Sequence, residues 1–515
     1  MSKRTLILLI LDGWGIGKND ETNPIFQVQP KNINYLKANY PYAVLQASGI
    51  AVGLPWGEEG NSEVGHLNIG AGKVLYQNYP RITLAIRDNS FFENKAIKNA
   101  FEHSKKNNSA VNLIGLLTSA NVHASLEHLE NLIKFAEQEN VPKINIHLIT
   151  DGRDSPPQSA IEILKKIPFS EKTKLASIGG RYYGMDRDKH WDRIEIHYKT
   201  LIGEGETADN AENHIKNAYA KDLNDQYIFP VSIGPEKEFV KSGDSIIFFN
   251  FREDRMRQIT EAFINENFDK FPVKNFSDLY VATMISYDEK FKTPIAFPKE
   301  TVDNPLSKVL SYNEKMQFKI AETEKYAHIT YFFNGQKELP FPNEYRMLIP
   351  SRNDVRHDNH PEMMAIEITS RIIEAIEEGG YDFILANFAN PDMIAHTGNY
   401  EATIKAIEVV DEQIGKIMNS IFERNGVLMI TSDHGNAERM FNPMTGEPET
   451  QHDMSPVPIH LAAKEYYHLK NESEINQAEK ITVGILADVA PTILELMNIP
   501  KPKEMTGQSL LKFLL

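Results

Sequence analysis

Three short apolar segments of this chain each end in polar residues of a kind that binds metal ions. The segments are residues 5–11, 382–388 and 426–430, and all are rich in Leu, Ile, Val or Phe. Runs of this length without a polar face are typical of strands buried on both sides of a parallel sheet. The sequence therefore predicts an α/β fold in which these three strands share a sheet.

Candidate metal ligands follow each segment at the point where a strand would end. Asp12 follows the first segment, Asp392 and His396 the second, and Asp433 and His434 the third. Asp392 and His396 are four residues apart, so one helical turn would place both on the same face. Because the carboxyl ends of parallel strands meet at one edge of a sheet, we expect these donors to converge. Asp and His ligands without thiolate suit Mn²⁺, Zn²⁺ or Mg²⁺, and two clusters suit a pair of ions. Taken alone, the Asp433-His434 pair fits a turn equally well.

The composition narrows the class of protein. A chain of 515 residues exceeds what one core usually holds, so we expect two or three domains. The net charge of −16 argues against nucleic-acid binding through bulk charge, and the absence of cysteine excludes disulfides and thiolate metal sites. The early apolar run is too short to span a bilayer and lacks a signal-peptide cleavage pattern. We therefore expect a cytoplasmic enzyme that binds neither nucleic acid nor membrane and acts as a monomer.

A glycine-rich stretch, residues 13–18, follows the first predicted strand. Its spacing matches neither the dinucleotide-binding nor the P-loop pattern. We interpret it as a tight turn that lets the backbone approach an ion.

Ser62 lies in a second glycine-containing stretch, residues 58–72. It could cap a helix, or it could be a nucleophile. A serine hydroxyl reacts at neutral pH only when a base or a metal activates it. No Gly-x-Ser-x-Gly elbow surrounds Ser62, so the sequence does not indicate an acyl-transfer triad, whereas a metal-activated serine fits the candidate ligands.

From about residue 77 the chain changes character. Residues 113–117 and 144–149 are predicted strands, and residues 126–138 are a predicted helix between them. Polar groups follow the predicted strands of this region, and they are His123, Arg153, Asp154, Arg181, Arg187, Arg252 and Arg255. Arginines at strand ends can form surface ion pairs, or they can hold phosphate or carboxylate through two bonds. Four arginines after two strands of an acidic protein favour the second interpretation.

The order of these features predicts a discontinuous domain. The candidate ligands lie before residue 77 and after residue 300, and the arginines lie between them. We therefore predict one α/β domain from residues 1–76 and 300–515, with a second α/β domain, residues 77–299, inserted into it. Within the returning part, residues 329–333 are expected to form a strand.

Seven motifs in this order resemble the cofactor-independent phosphoglycerate mutases of the alkaline phosphatase superfamily. They are LDGWG at 11–15, GNSEVGH at 60–66, DGRD at 151–154, ETEKY at 322–326, NPDM at 390–393, SDHGN at 432–436 and APTIL at 490–494. The resemblance extends over nearly the whole chain. It implies a discontinuous alkaline-phosphatase-like domain that binds two Mn²⁺ or Mg²⁺ ions, and an inserted domain that binds substrate. Residues 351–364 depart from the family's pattern without removing a proposed ligand.

The resemblance also implies a role for each site residue. One ion would be held by Asp392, His396 and His452, and the other by Asp12, Ser62, Asp433 and His434. Ser62 would accept the phosphoryl group of 3-phosphoglycerate and return it to the 2-hydroxyl, and Asp154 would act as general base and acid. The other implied substrate residues are His123, Arg153, Arg181, Arg187, Arg252, Arg255 and Lys325.

Three other functions remain open at this point. A phosphomonoesterase would use the same metals and Ser62 but has no need of an arginine-rich second domain. A phosphopentomutase fits less well, because the nucleophile motif here carries serine in Gly-Asn-Ser. A non-catalytic metal- or anion-binding regulator would have no use for a metal-placed serine beside a general base.

Overall fold

The computed structural model describes residues 4–234, 238–353 and 356–515, so residues 354 and 355 of the atypical 351–364 segment lie outside the described residues. The chain forms two compact units. Met1–Gln77 and Glu300–Leu515 make the first unit, and Asn78–Lys299 makes the second. The predicted α/β class is confirmed in both units. Among the described residues, no helix is both long and apolar enough to cross a membrane.

The strands are numbered along the chain, and β3 to β9 belong to the second unit. They are β1 Leu6–Leu11, β2 Tyr42–Gln46, β3 Ala110–Leu117, β4 Lys143–Thr150, β5 Thr173–Gly180, β6 Glu206–Ala208, β7 Val231–Ile233, β8 Ser245–Phe248, β9 Tyr280–Thr283, β10 Gln317–Glu322, β11 Glu344–Ile349, β12 Phe383–Phe388, β13 Val427–Thr431, β14 Val457–Ala462 and β15 Thr482–Ile485.

The helices are numbered in the same way, and α4 to α11 belong to the second unit. They are α1 Pro24–Val28, α2 Lys31–Asn39, α3 Ser62–Ala71, α4 Asn78–Arg87, α5 Lys95–Asn107, α6 Leu126–Gln138, α7 Ala160–Leu164, α8 Arg181–Gly184, α9 Trp191–Leu201, α10 Ala211–Tyr219, α11 Arg257–Ile264, α12 Leu306–Tyr312, α13 Thr323–Ala327, α14 Ala365–Glu378, α15 Asn390–Ala395, α16 Tyr400–Glu423, α17 Glu472–Lys480, α18 Val489–Leu496 and α19 Leu511–Leu514.

The sheet of the first unit has eight strands in the order β11-β10-β12-β1-β13-β14-β2-β15. Strands β11, β10, β12, β1 and β13 are parallel neighbours, and β14 is antiparallel to both of its neighbours. Alternate side chains of β1 enter different hydrophobic clusters, with Leu6, Leu8 and Ile10 in one and Ile7, Leu9 and Leu11 in the other. Both faces of the strand are therefore buried, which explains its continuous apolar sequence.

The sheet of the second unit has seven strands in the order β6-β7-β5-β4-β3-β8-β9. The five strands from β5 to β9 in this order are parallel, and β7 is antiparallel to β5. One hydrophobic cluster contains side chains from the sheet and from the helices packed on it. The polar segments after β3, β4, β5 and β8 therefore leave the sheet at the same edge, since these strands run in the same direction.

The expected strand at residues 329–333 is wrong. His328–Phe332 forms a π-helix that continues directly from α13, and β10 ends before both, at Glu322. The β-branched and aromatic residues of this segment suggested a strand. Instead, Ile329 and Phe333 are four residues apart and both are buried in the core, which is helical spacing. Tertiary packing therefore overrides local propensity here.

Candidate active site

The register of three adjacent strands brings the candidate ligands to one edge of the first unit's sheet. Strand β1 lies between β12 and β13, with Leu11 opposite Phe388 and Ile10 opposite Thr431. Asp12 follows β1 directly, α15 begins two residues after β12, and Asp433 comes two residues after β13. The convergence expected from the sequence is present in the structure.

Ser62 lies at the centre of the first group of ligand atoms. Its Oγ is 2.9 Å from His434 Nε2 and donates to Asp12 Oδ1 at 3.1 Å. His434 Nε2 is also 3.6 Å from Asp12 Oδ1 and 3.6 Å from Asp433 Oδ2. These side chains are almost completely buried. Two carboxylates, an imidazole nitrogen and a hydroxyl thus share a space of the size one divalent ion requires.

Asp392, His396 and His452 form the second group. His396 Nε2 and His452 Nε2 lie 3.2 Å and 3.5 Å from Asp392 Oδ1. Helix α15 provides the i to i+4 geometry that the sequence predicts for Asp392 and His396. His434 Nε2 is 4.0 Å from Asp392 Oδ1, so the two groups are adjacent.

The hydrogen bonds of the two imidazoles in the second group leave their Nε2 atoms available as metal ligands. Nδ1 of His396 lies 2.8 Å from the Thr450 carbonyl oxygen, and Nδ1 of His452 lies 2.8 Å from the Gly60 carbonyl oxygen. Carbonyl oxygens only accept, so Nδ1 carries the proton in both rings. In the neutral rings each Nε2 then carries a lone pair, and the two atoms lie 3.1 Å apart and within 3.5 Å of Asp392 Oδ1. Two imidazole nitrogens and a carboxylate oxygen that converge in this way fit a divalent metal ion.

Lys325 lies among the carboxylates of both groups. Its ammonium donates to Asp12 Oδ1 at 2.6 Å, to Asp392 Oδ2 at 2.6 Å and to Ser62 Oγ at 2.7 Å. Burial alone would lower the pKa of Lys325, but the nearby carboxylates outweigh it and raise the pKa well above its usual value. The ammonium therefore lies beside the hydroxyl of Ser62, where the carboxylates favour its charged form.

Helix α3 begins at Ser62, which bears on the capping role considered for this residue. Asn61 is the N-cap, and its side-chain oxygen accepts from the backbone N–H of Val64. The capping role of Ser62 is therefore wrong. A helix N-terminus favours an anion, so a phosphoryl group on Ser62 Oγ would be stabilised there. The hydroxyl lines an open cavity of about 460 Å³ together with Lys325, His328 and Asp392.

Sequence reasoning missed His66 and Asn387, which support the ligands. Asn387 Nδ2 donates to Asp12 Oδ2 at 2.7 Å and lies 3.0 Å from His66 Nε2. His66 Nδ1 lies 3.1 Å from Asp433 Oδ2. Burial lowers the pKa of His66, but Asp433 outweighs this and raises it. Two signals could have identified them, the four-residue spacing of Ser62 and His66 and the polar residue in an apolar strand.

The second unit contains a buried arginine held by two carboxylates. Arg181 is 3% exposed, and its Nη1 donates to Asp151 Oδ1 at 2.5 Å and to Asp154 Oδ2 at 2.6 Å. Asp151 also accepts from the backbone N–H groups of Arg153 and Asp154. The turn after β4 and the start of α8 are therefore joined by one charged network. The Arg153 side chain is exposed.

Asp254 lies among three of the predicted substrate residues of the second unit, and sequence reasoning missed it. Its carboxylate is 2.9 Å from Arg187 Nη1, 3.4 Å from Arg252 Nε and 3.6 Å from His123 Nδ1. Burial and the Arg181 charge lower the pKa of His123 to about 4, so this imidazole is neutral at pH 7. Arg255 instead donates to the Met185 carbonyl oxygen. The structure thus gathers His123, Arg187 and Arg252 around one carboxylate.

Comparisons with known proteins agree with this fold and donor set. Residues 4–501 match the metalloenzyme superfamily. The chain is 44% identical to the 2,3-bisphosphoglycerate-independent phosphoglycerate mutase of Clostridium botulinum strain Langeland, covering 99% of this chain and 100% of the relative. It is 46% identical to 2,3-bisphosphoglycerate-independent phosphoglycerate mutase 1 of Methanosarcina barkeri, covering 99% and 98%. The crystal structure of Leishmania mexicana phosphoglycerate mutase at low cobalt concentration matches with a TM-score of 0.52 and 28% identity, covering 99% of this chain and 98% of that one.

The fold and the converging Asp and His side chains define a metalloenzyme, and the superfamily match and these donor groups support the binding of divalent metal. Within that superfamily, the full-length identity to the bacterial and archaeal relatives identifies a narrower group. This chain belongs to the family of 2,3-bisphosphoglycerate-independent phosphoglycerate mutases.

Proposed function

We propose that this protein interconverts 3-phosphoglycerate and 2-phosphoglycerate through a phosphoserine on Ser62, without 2,3-bisphosphoglycerate. The observation that supports this most strongly is the environment of Ser62 Oγ. It lies 2.9 Å from His434 Nε2 and 2.7 Å from Lys325 Nζ at the N-terminus of α3. This is an environment that favours the alkoxide and stabilises a phosphoryl group.

Two divalent ions, Mn²⁺ or alternatively Mg²⁺, fit the donor groups. Asp392, His396 and His452 would hold one, and Asp12, Ser62, Asp433 and His434 would hold the other. When bound, the ions lower the pKa of the serine hydroxyl and neutralise phosphoryl charge. A cytoplasmic monomer remains our prediction for the compartment and oligomeric state.

Ser62 and Lys325 carry out the phosphoryl transfer in this proposal. Ser62 Oγ attacks phosphorus as the alkoxide, the bond from phosphorus to the 3-oxygen of the glycerate breaks, and phosphoserine forms. The second half-reaction releases the alkoxide again, so the serine proton takes no part in the cycle. Lys325 Nζ, 2.7 Å from Oγ, neutralises charge on the transferring group. In the second half-reaction the 2-oxygen attacks the phosphoserine, and the serine oxygen is the leaving group.

Asp154 is proposed to move the proton of the glycerate hydroxyl. Asp154 would enter the cycle as the acid, protonate the departing 3-oxygen to become a carboxylate, and regain a proton from the 2-hydroxyl before that oxygen attacks. Its Oδ2 accepts from Arg181 Nη1 at 2.6 Å, which fixes the carboxylate. Six other residues of this unit would bind the carboxylate and hydroxyl groups of the glycerate, and they are His123, Arg153, Arg181, Arg187, Arg252 and Arg255.

Arg252→Ala is expected to raise KM for 3-phosphoglycerate about tenfold or more, because a charge-assisted hydrogen bond to an anion is lost. The Arg252 side chain is 49% exposed, and its Nε is 3.4 Å from Asp254 Oδ1, which is a long ion pair. Arg252 can therefore exchange Asp254 for the substrate at little cost. Steady-state kinetics and calorimetric titration with Mn²⁺ test this. Manganese affinity should not change, whereas metal loss would contradict the assignment of Arg252 to substrate. Arg371→Ala, on the exposed surface of α14, is the matched control.

The proposed function is tested with chelator-treated protein, 3-phosphoglycerate and no 2,3-bisphosphoglycerate. Adding Mn²⁺ should restore conversion to 2-phosphoglycerate with little free phosphate. Both products are followed in the same reaction. Free phosphate without 2-phosphoglycerate would identify a phosphomonoesterase instead, and metal-independent isomerisation would contradict the proposed role of the donor groups.

A further inference from the structure

We infer that Glu438 is a positioning residue that determines how tightly the first unit binds metal ions. It does so by joining two ligand-bearing loops, residues 12–15 and residues 433–436. The inference rests on the proposed function, since it concerns the same metal site. Glu438 is neither one of the proposed ligands nor one of the proposed substrate residues. Its side chain is completely buried.

The Glu438 carboxylate bonds to the backbone of both loops. Oε2 accepts from the Gly15 N–H at 2.9 Å and from the Asn436 N–H at 2.8 Å. Gly15 is three residues after Asp12, and Asn436 is two residues after His434. One oxygen therefore connects the turn that carries Asp12 to the turn that carries Asp433 and His434.

The same network reaches the second ligand group. The Asn436 side chain donates to Asp392 Oδ1 at 2.8 Å, so the residue that Glu438 holds by its backbone also orients Asp392. In addition, the Gly13 N–H donates to Asp433 Oδ1 at 3.3 Å. A shift of the Glu438 carboxylate would thus displace groups that orient ligands of both ions.

The glycines around Glu438 explain the glycine-rich stretch of the sequence. A Cβ on Gly15 would overlap the Glu438 carboxyl group, and so would a Cβ on Gly435. Gly17 packs against the Glu438 backbone oxygen and Cβ in the same way. Gly15 and Gly17 therefore leave room for the Glu438 side chain, whereas the approach of the 13–18 turn to an ion stays a prediction.

Burying the Glu438 side chain costs free energy of folding, so a contribution to stability does not explain why an acidic residue is present here. Burial raises the pKa of Glu438 to about 7, even though its carboxylate accepts from two backbone N–H groups. A buried carboxyl group costs free energy of folding unless its interactions offset that cost. Positioning of the two ligand loops through the Gly15 and Asn436 N–H groups accounts for an acidic residue at this place.

The test is calorimetric titration of chelator-treated full-length protein with Mn²⁺. Glu438→Ala removes the acceptor of two N–H groups and is expected to raise the Kd for Mn²⁺ by about tenfold to a hundredfold. Glu438→Gln keeps one accepting oxygen and should recover most of the affinity. Glu408→Ala, on the exposed side of α16, should leave the Kd unchanged.

A second substitution covers the case in which Glu438→Ala does not fold. Gly15→Ala retains Glu438 but displaces its carboxylate, so it should weaken Mn²⁺ binding in the same way. Gly380→Ala is the matched control, because a Cβ there meets nothing within 4 Å.

The possible results separate the inference from the proposed function. If wild-type protein binds neither Mn²⁺ nor Mg²⁺ in the same titration, the proposed metal site fails and the inference fails with it. If wild-type protein binds Mn²⁺ and neither Glu438→Ala nor Gly15→Ala changes the Kd, the inference is overturned while the proposed function stands. A lower melting temperature with unchanged Kd would likewise overturn it, since that result describes a purely structural residue.

Discussion

Replacing Ser62 with alanine is expected to reduce the interconversion of 3- and 2-phosphoglycerate by on the order of 10⁴-fold or more, because the only group proposed to carry the phosphoryl is lost. The fold should survive. Ser62 contributes no capping bond to α3, and Asn61 keeps that role. Alanine also fits the first turn of a helix well. The expected result is thus a folded protein without turnover.

This prediction is checked by two measurements on the same preparation. Turnover is measured with saturating Mn²⁺, and acid-quenched protein is assayed for phosphate bound to serine after incubation with substrate. Ser90→Ala, an exposed serine of the second unit, is the control. Full activity in the Ser62 variant would refute the phosphoserine mechanism. Phosphate bound to a different residue of the Ser62 variant would show that this residue, and not Ser62, is the nucleophile.

The elements that sequence predicts well are those whose residues carry one consistent pattern. Strand β1 and helix α6 occur almost where the apolar periodicity places them, at Leu6–Leu11 and Leu126–Gln138. Both faces of β1 are buried, so nearly every one of its residues contributes to the signal. In α6 the apolar residues recur at helical spacing and form the buried face.

The convergence of the ligands was predictable for a similar reason. Asp12 and Asp433 follow parallel neighbouring strands, and parallel strands bring their carboxyl ends to one edge. The sequence does not show which side chains pack around Asp12 and Asp433 and hold their loops in place. Asn387 and Glu438 contact residues more than 300 positions away along the chain, and no local pattern marks such pairs.

The ion pairs of the second unit also could not be predicted from the sequence. The sequence identifies the arginine-containing segments, but it does not distinguish Asp254 from the other charged residues in them. Only the folded chain shows that its carboxylate is shared by Arg187, Arg252 and His123. Ion pairs of this kind depend on side-chain positions from separate loops, which composition and spacing do not determine.

Lys325→Ala is expected to destabilise metal-free protein by about 3–5 kcal/mol, because it leaves buried carboxylates without their counter-charge. Lys325 donates to Asp12 and Asp392 at 2.6 Å each, and Asp433 also raises its pKa. All three carboxylates are completely or almost completely buried, so solvent compensates only partly for the lost counter-charge. Saturating Mn²⁺ should recover much of this loss, because divalent ions supply positive charge to the same carboxylates.

Activity should respond differently from stability, and this difference defines the role of Lys325. Mn²⁺ is expected to restore stability to Lys325→Ala but to leave kcat about 10²- to 10³-fold below that of wild type, since the ammonium beside Ser62 Oγ is still missing. Calorimetric unfolding and kinetics, each with and without Mn²⁺, measure the two effects. Lys405→Ala, an exposed residue of α16, controls for loss of a surface charge. Recovery of both stability and kcat by Mn²⁺ would show that Lys325 only balances buried charge, whereas recovery of stability alone places its ammonium in the phosphoryl transfer.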